Sequence, residues 1–262
     1  MAQPEAKRQK TDTVYELLYW PGIPGRGEFV RLAFEVTGTP YKDVGNEEKD
    51  GASQVIKAVT EEVKDGNPPG YAPPALRVSG AGRDGKNLLI HQTPNILMYL
   101  GPKLGLVPDD EPGKLWVNEL TLTALDLNNE AHDTHHPIGV TDYYEDQKDE
   151  ALKKAKDFRE TRIPKYFGYF EKVLKNNGEG KGQHLVDSSL TFADLAVFHV
   201  VDGLTFAFPK EIKARKKDYP LLFTKLYDGV NELESIKDYM NSDRRKPYSS
   251  GIFRQYPELD RQ

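Results

Sequence analysis

The stretch PPALRVSGAGRDGKNLLIHQTPNILMYL, residues 73–100, carries most of the information about the fold. Residues 75–79 and 87–91 have the length and apolar content of short strands, and the Gly-rich SGAGRDGKN segment predicts a hairpin that connects them. Thr93 is a favourable N-cap, and Pro94 suits the first helical position because its missing N–H costs nothing there. The unpaired amides at this helix start predict a site for a carboxylate.

The composition is that of a globular protein with one large or two moderate domains. The chain has 262 residues, of which 37% are hydrophobic and 29% charged. A net charge of -5 gives no electrostatic reason to expect nucleic acid as a partner. No apolar stretch approaches the roughly 20 residues that cross a bilayer, and the N-terminus does not resemble a signal peptide. We therefore expect a cytoplasmic protein without a membrane partner.

The sequence contains no cysteine. Disulfides, cysteine-ligated zinc and a cysteine nucleophile are therefore excluded. Any thiol chemistry at this protein must use a thiol that a ligand brings.

The predicted elements change character along the chain. The first part has a β-α-β-β-α-like order, and from residue 114 onward the pattern is helical. The N-terminal predictions are strands at 14–20, 41–44, 75–79 and 87–91 and helices at 28–37, 53–64 and 95–104. The C-terminal predictions are helices at 114–133, 146–175, 192–207, 220–228 and 232–241.

These patterns predict two domains joined by the LVPDDEPG segment, residues 106–113. The predicted division is a disordered tail at 1–13, an α/β domain at 14–104, an all-helical domain at 113–245 and an irregular C-terminal tail at 246–262. The tail could cover a pocket, cover a groove between subunits or remain unstructured.

The segment LTFADLAVF, residues 190–198, predicts a well-defined helix start. Thr191 is an N-cap with Asp194 at the third helical position, and Leu190 and Leu195 occupy the hydrophobic-staple positions. We interpret this motif as structural and assign it no chemistry.

Five segments in this order form a recognisable pattern: LLYWPGIPGRGEFVRLAFEVTGTPY, PPALRV, HQTPNILMYLGPKLGL, LTFADLAVF and YPLLFTKLYDGVNELESIKDYMNS. Together they resemble the cytosolic glutathione transferases of the tyrosine type, with a pattern nearest to the pi and sigma classes. The resemblance covers about residues 14–245. It implies a thioredoxin-like α/β N-terminal domain followed by an all-α C-terminal domain, a homodimer, and glutathione as co-substrate.

The resemblance places the catalytic tyrosine at Tyr19, at the end of the first strand. A thiol with a pKa near ~8.5 is mostly protonated at neutral pH, and a phenol O–H donated to sulfur favours the thiolate. Tyr19 would therefore stabilise an anion rather than act as a nucleophile. Tyr15, on the same strand face, is the alternative.

The resemblance assigns glutathione binding to Arg26, Lys64, Pro73, Pro74, Gln92, Thr93 and Asp126. Gln92 and Thr93 align with the pair that binds the γ-glutamyl group, although Thr93 could instead only cap its helix. Pro74 aligns with the family's cis-proline. The preceding residue normally pairs its backbone with the cysteinyl unit of glutathione, but Pro73 has no N–H to donate. This departure predicts weaker binding or a shifted pose, at a cost of about 0.5–1.5 kcal/mol.

The remaining glutathione contacts are assigned less directly. Arg26 aligns with an arginine that reaches the glycine end of glutathione or orders the loop, whereas Arg31 is expected to form a structural ion pair on its helix. Lys64 lies near the position of a lysine that binds the glycyl carboxylate, and Lys57 competes with it. Asp126 aligns with an acid that reaches the glutathione of a partner subunit, or it is only solvated.

The segment EAHDTHHP, residues 130–137, contains three of the six histidines. The resemblance places His132, His136 and Phe206 at the electrophile pocket, and structural histidines are the main alternative. The i, i+4 spacing of His132 and His136 is also compatible with zinc. No third ligand can be placed, so the sequence predicts no metal site.

The predicted function is conjugation of the glutathione thiolate to a small electrophile. The alternatives are a non-catalytic binding module of the same fold and a glutathione-dependent isomerase. The PGIPG loop is one residue longer than is usual in the family, and together with Pro73 it supports the non-catalytic alternative.

Overall fold

The computed structural model describes residues 14–61 and 65–262. The predicted tail at 1–13 and the candidate Lys64 lie outside these residues. The described chain forms two compact units. The first contains the described part of Met1–Trp20 with Pro40–Gln92, and the second contains Pro21–Thr39 with Thr93–Gln262. The predicted domain boundaries stay a prediction.

The first unit contains a four-stranded mixed sheet. Its strands are β1 (Tyr15–Leu18), β2 (Lys42–Asp43), β3 (Ala75–Val78) and β4 (Leu88–His91). Their spatial order is β2-β1-β3-β4, in which β1 is parallel to β2 and antiparallel to β3, and β3 and β4 form the predicted hairpin. Leu18 pairs with Ala75, and Ala75 pairs with His91. The last residues of β1 and β4 and the first residue of β3 therefore lie at the same end of the sheet.

α-Helices are the main secondary structure of the described chain. They are α1 (Glu28–Thr37), α2 (Val44–Glu47), α3 (Gly51–Thr60), α4 (Thr93–Leu104), α5 (Glu111–Asp133), α6 (Lys148–Asp157), α7 (Ile163–Asn176), α8 (Phe192–Ala207), α9 (Pro209–Arg215), α10 (Asp228–Asn231) and α11 (Glu234–Met240). The helix predicted at 146–175 is interrupted by a π-helical turn, Phe158–Arg162, just before Pro164. Proline cannot donate to the helix ladder, which explains a widened turn at this point.

The core of the second unit is built around α8, which is buried along nearly its whole length and packs on α5. The predicted capping box is confirmed. The Asp194 carboxylate accepts from the backbone N–H of Thr191 at 2.8 Å and from that of Leu185 at 2.8 Å. A buried carboxylate with these donors fixes the residue at which α8 begins.

Among the described residues no single helix has the length and apolar character needed to span a membrane. Only Phe192–Ala207 and Pro209–Asp218 taken together meet this criterion of length and composition, and they are bent by 118°.

The C-terminal tail, residues 246–262, is irregular but packs against the rest of the second unit. Ile252, Phe253 and Leu259 are buried. Asp260 accepts hydrogen bonds from the backbone N–H groups of Lys210 at 2.8 Å and Glu211 at 3.0 Å. The tail therefore caps the start of α9 and forms part of the core.

Candidate functional site

Tyr19 follows directly after β1 and is only 5% exposed. Because side chains alternate along a strand, Tyr15 and Tyr19 share one face. Tyr15 is half-buried, and this burial raises the pKa of its phenol. The two candidate tyrosines therefore lie on one face of the sheet, with Tyr15 at the start of β1 and Tyr19 just after its end.

Arg26 lies in a 3₁₀ turn, Gly25–Gly27, immediately before α1. Its guanidinium donates to Oδ1 of Asn129 on α5 at 2.7 Å. The structural role expected for Arg31 is also found, since its guanidinium lies 3.2 Å from the Glu28 carboxylate and both side chains are buried. Arg26 is therefore oriented by a residue of α5, whereas Arg31 forms a buried ion pair within α1.

The peptide bond between Pro73 and Pro74 is cis, as the resemblance implied. Gln92, after β4, adopts a left-handed backbone conformation with φ of 70°. Such a conformation is uncommon for a residue other than glycine and is found disproportionately at ligand sites.

Thr93 differs from its predicted role as an N-cap. It is the first residue of α4, its side chain is buried, and its hydroxyl makes no hydrogen bond with any described residue. The predicted side-chain cap is therefore not formed. A buried hydroxyl without a partner is costly, and here it lies at a helix start whose amides favour an anion.

The other predicted glutathione contacts are less distinctive. Asp126 is an exposed residue of α5, and Lys57 is an exposed residue near the end of α3. Neither shows a contact that separates a binding role from simple solvation.

The histidines form a compact cluster at the end of α5, and the cluster includes His135 as well as His132 and His136. Ring centroids are 4.7–5.0 Å apart, and the His132 and His136 rings are stacked. Burial lowers the pKa of His132 to about 4 and the pKa of His135 to about 3. Arg26 and Arg254 add to these two shifts respectively, so both imidazoles are neutral near pH 7.

The structure does not bring Phe206 into this cluster. Phe206 stacks on Tyr248 at 5.0 Å between ring centroids and lines an open cleft of about 500 Å³ with Asp202 and Arg245. The three clustered histidines are not among the residues that line this cleft.

The tail reaches the histidine cluster, which the sequence did not reveal. Nε2 of His135 lies 2.9 Å from the Ile252 carbonyl oxygen. Tyr256 stacks on Tyr144 at 3.9 Å, and the Tyr144 hydroxyl donates to Glu258 at 2.8 Å. A signal for the third histidine did exist, because His132, His135 and His136 have the i, i+3, i+4 spacing of one helix face.

Comparisons of the sequence with known proteins found matches that are named glutathione S-transferase. Residues 132–243 match the family model for the C-terminal domain of glutathione S-transferases. A glutathione S-transferase of Plasmodium falciparum is 25% identical over 235 residues, which is 88% of this chain and 98% of that protein.

Solved structures are similar over most of the chain. The pi-class glutathione S-transferase of Onchocerca volvulus has 21% identity and a TM-score of 0.62, covering 86% of this chain and 91% of that one. Prostaglandin synthase D of Nilaparvata lugens has 21% identity and a TM-score of 0.64, covering 90% and 100%.

The chain therefore has the glutathione transferase fold, and the predicted combination of a thioredoxin-like domain with an all-α domain is confirmed. The family model and the curated relatives also support the predicted function as a glutathione transferase.

Proposed function

We propose that this chain is a glutathione transferase of the tyrosine type, which conjugates the thiolate of glutathione to a small electrophile. The proposal includes a cytoplasmic homodimer of the pi or sigma kind. Its catalytic residue is Tyr19, whose phenol donates to the sulfur and lowers the free energy of the thiolate. One pKa unit at the thiol corresponds to about 1.4 kcal/mol.

The observation that carries the proposal is the unpaired Thr93 hydroxyl at the start of α4. A γ-glutamyl carboxylate would accept from this hydroxyl and from the helix-start amides, and it would interact favourably with the helix dipole. Gln92, in its left-handed conformation, supplies an amide group next to the same position. These groups at the start of α4 therefore suit the γ-glutamyl end of glutathione.

We assign the electrophile to the helical unit, but the candidate residues do not line one common pocket. His132 and His136 stand in one cluster, whereas Phe206 lines another cleft. These residues stay candidates for the lining of the electrophile pocket.

A non-catalytic glutathione-binding protein is the second candidate, and Pro73 favours it. Since Pro73 has no N–H, one of the two backbone hydrogen bonds to the cysteinyl unit cannot form. A sulfur held less firmly would be positioned less well for attack, and a displacement of about 1 Å is enough to weaken catalysis substantially.

The test is steady-state conjugation of a generic aryl halide by the wild type, Tyr19→Phe and the matched control Tyr15→Phe. We expect Tyr19→Phe to lower kcat about 10–100-fold, because a hydrogen bond to a charged group contributes about 1.5–3 kcal/mol. Tyr15→Phe should retain activity, and all three proteins should be retained on immobilised glutathione. Retention without conjugation by the wild type would favour the binding protein, and flow-through of the wild type would refute both.

A further inference from the structure

Three imidazoles converge at the end of α5. One ring nitrogen from each of His132, His135 and His136 lies within 4.8 Å of the other two. The turn that follows α5 keeps a helical course, since the backbone N–H of His135 donates to the His132 carbonyl at 3.2 Å. Residues three and four positions apart therefore face the same way.

Backbone carbonyls decide where the protons sit on two of the rings. Nε2 of His135 faces the Ile252 carbonyl at 2.9 Å, and Nδ1 of His136 faces the Asp142 carbonyl at 3.0 Å. A carbonyl oxygen only accepts, so each of these nitrogens carries the proton. The opposite nitrogens, Nδ1 of His135 and Nε2 of His136, are left with lone pairs.

Nδ1 of His135 is buried, and it has no hydrogen-bond partner among the described residues. Burying an unsatisfied acceptor is unfavourable, so this nitrogen is available to a group that the described residues do not supply.

We propose that His132, His135 and His136 bind one divalent transition-metal ion such as Zn²⁺. Neutral imidazole is a preferred ligand of zinc, copper and nickel, and three histidines with an open fourth position form a known zinc geometry. The Ile252 and Asp142 carbonyls orient the rings, as hydrogen-bonding groups behind metal ligands commonly do.

The geometry requires only a small closure. Zinc–nitrogen bonds of about 2.0–2.1 Å in a tetrahedral site separate the nitrogens by about 3.4 Å. We expect His132 to make most of this movement, because its side chain is 21% exposed, whereas His135 and His136 are buried and face backbone carbonyls. His136 is held more firmly, since the Gln147 amide also donates to the Asp142 carbonyl at 3.2 Å.

The charges around the histidine cluster determine how tightly we expect it to bind a metal ion. Arg26 acts on His132 and Arg254 acts on His135, and both cations oppose a metal ion. Asp133, next to His132 in the chain, favours it. We therefore expect weaker binding than at a structural zinc site with charged thiolate ligands.

The experiment is a Co²⁺ titration of the full chain, followed by its visible d–d absorption, with Zn²⁺ as competitor. The expected result is saturation at one Co²⁺ per chain with a tetrahedral spectrum that Zn²⁺ abolishes. Mg²⁺, which prefers oxygen ligands, should not compete. The measurement uses no glutathione, so its outcome is independent of the proposed transferase activity.

Three variants locate the site. His132→Ala and His135→Ala should each weaken Co²⁺ binding at least about 10-fold, because loss of a ligand costs no less than loss of a group that orients one. His184→Ala is the matched control, since the His184 side chain is 23% exposed against 21% for His132. It should bind Co²⁺ like the wild type.

Two outcomes would overturn the proposal. One is a wild type without saturable one-to-one binding, and the other is equal binding by wild type and His132→Ala. If His135→Ala fails to fold because the Ile252 carbonyl loses its donor, His132→Ala decides alone. The ring of His132 makes no contact with the tail among the hydrogen bonds and ring contacts of the described residues.

Discussion

Nε of Arg245 lies 3.1 Å from Oε1 of Glu28, and the two side chains are 8% and 1% exposed. This pair joins the segment after α11 to the first residue of α1. The Tyr239 hydroxyl donates to the same Glu28 oxygen at 2.9 Å, and Arg31 contacts the other oxygen. On its far side Arg245 pairs with Asp202 at 3.2 Å. The network neutralises buried charges between elements that are distant in sequence.

Arg245→Met should therefore destabilise the protein strongly. Removing one partner of a buried ion pair costs about 3–5 kcal/mol, and we expect about 3 kcal/mol because Arg31 remains beside Glu28. The measurement is the free energy of unfolding from urea titration.

The adjacent residue provides the control for Arg245→Met. Arg244 pairs with Glu35 at 2.9 Å, but the Arg244 side chain is 58% exposed. Arg244→Met should cost about 0–1 kcal/mol, as surface ion pairs do. Equal losses in the two variants would show that the Glu28 network contributes no special stability.

Gly203 should tolerate no side chain, because a Cβ there would overlap the ring of Phe253. Gly203→Ala is expected to displace Phe253 from the surface of α8 and to lower the free energy of unfolding by about 1–3 kcal/mol. Gly229→Ala, in α10, meets no atom within 4 Å and should be neutral or stabilising by up to about 1 kcal/mol. Thermal unfolding of both variants, followed by circular dichroism, distinguishes them; a stable Gly203→Ala would mean that the tail does not pack as described.

The secondary structure was largely readable from the sequence because its local signals are strong. The helix predicted at 28–37 and the one predicted at 192–207 have the observed bounds of α1 and α8. Gly38 in the left-handed region ends α1, and the capping box begins α8. The break at Phe158–Arg162 was missed. The buried residues Phe158 and Ile163 are five positions apart, which is wider than the step of three or four in an α-helix, and one such step was not recognised as a widened turn.

The candidate site was less readable because it depends on contacts between remote residues. His135 acquires its orientation from the Ile252 carbonyl, 117 residues away. The tail has no periodicity, so its packing through Phe253 could not be predicted. Tyr19 and Thr93 were placed by the resemblance, and the unpaired state of the Thr93 hydroxyl follows only from the structure.

Acid should destabilise the protein partly through His199. Complete burial, with smaller contributions from Arg245 and Arg31, lowers the pKa of His199 to about 3, although Asp202 has the opposite effect. An unfolded histidine has a pKa near ~6.5, so between about pH 6.5 and pH 3 the unfolded chain holds the extra proton. The contribution to stability is complete above pH 6.5 and is lost as the pH falls, at up to about 1.4 kcal/mol per pH unit.

The check on the His199 prediction is the free energy of unfolding from urea titrations between pH 7 and pH 4, about the range in which histidine titrates. His199→Gln should flatten this profile, because glutamine can still donate to the Gly25 carbonyl, 3.3 Å from Nε2, but does not titrate. His184→Gln removes a half-buried histidine and should keep most of the slope. An unchanged slope in His199→Gln would contradict the assignment.

Thr93→Val should separate stability from ligand binding, because its two effects have opposite signs. Valine has nearly the shape of threonine, and the Thr93 hydroxyl is buried without a partner among the described residues. Removing it should leave the free energy of unfolding of the ligand-free protein unchanged or raise it by up to about 1 kcal/mol. The same change removes a donor to the proposed γ-glutamyl carboxylate, so the Kd for glutathione in calorimetry should rise about 10-fold.

Thr121→Val is the control for Thr93→Val. The Thr121 hydroxyl is also buried, but it donates to the Val117 carbonyl at 2.8 Å within α5. Its loss should lower stability slightly and leave the Kd for glutathione unchanged. A Thr93→Val protein that is destabilised and binds glutathione like the wild type would mean that the hydroxyl serves the fold, and the carboxylate site at the start of α4 would have to be abandoned.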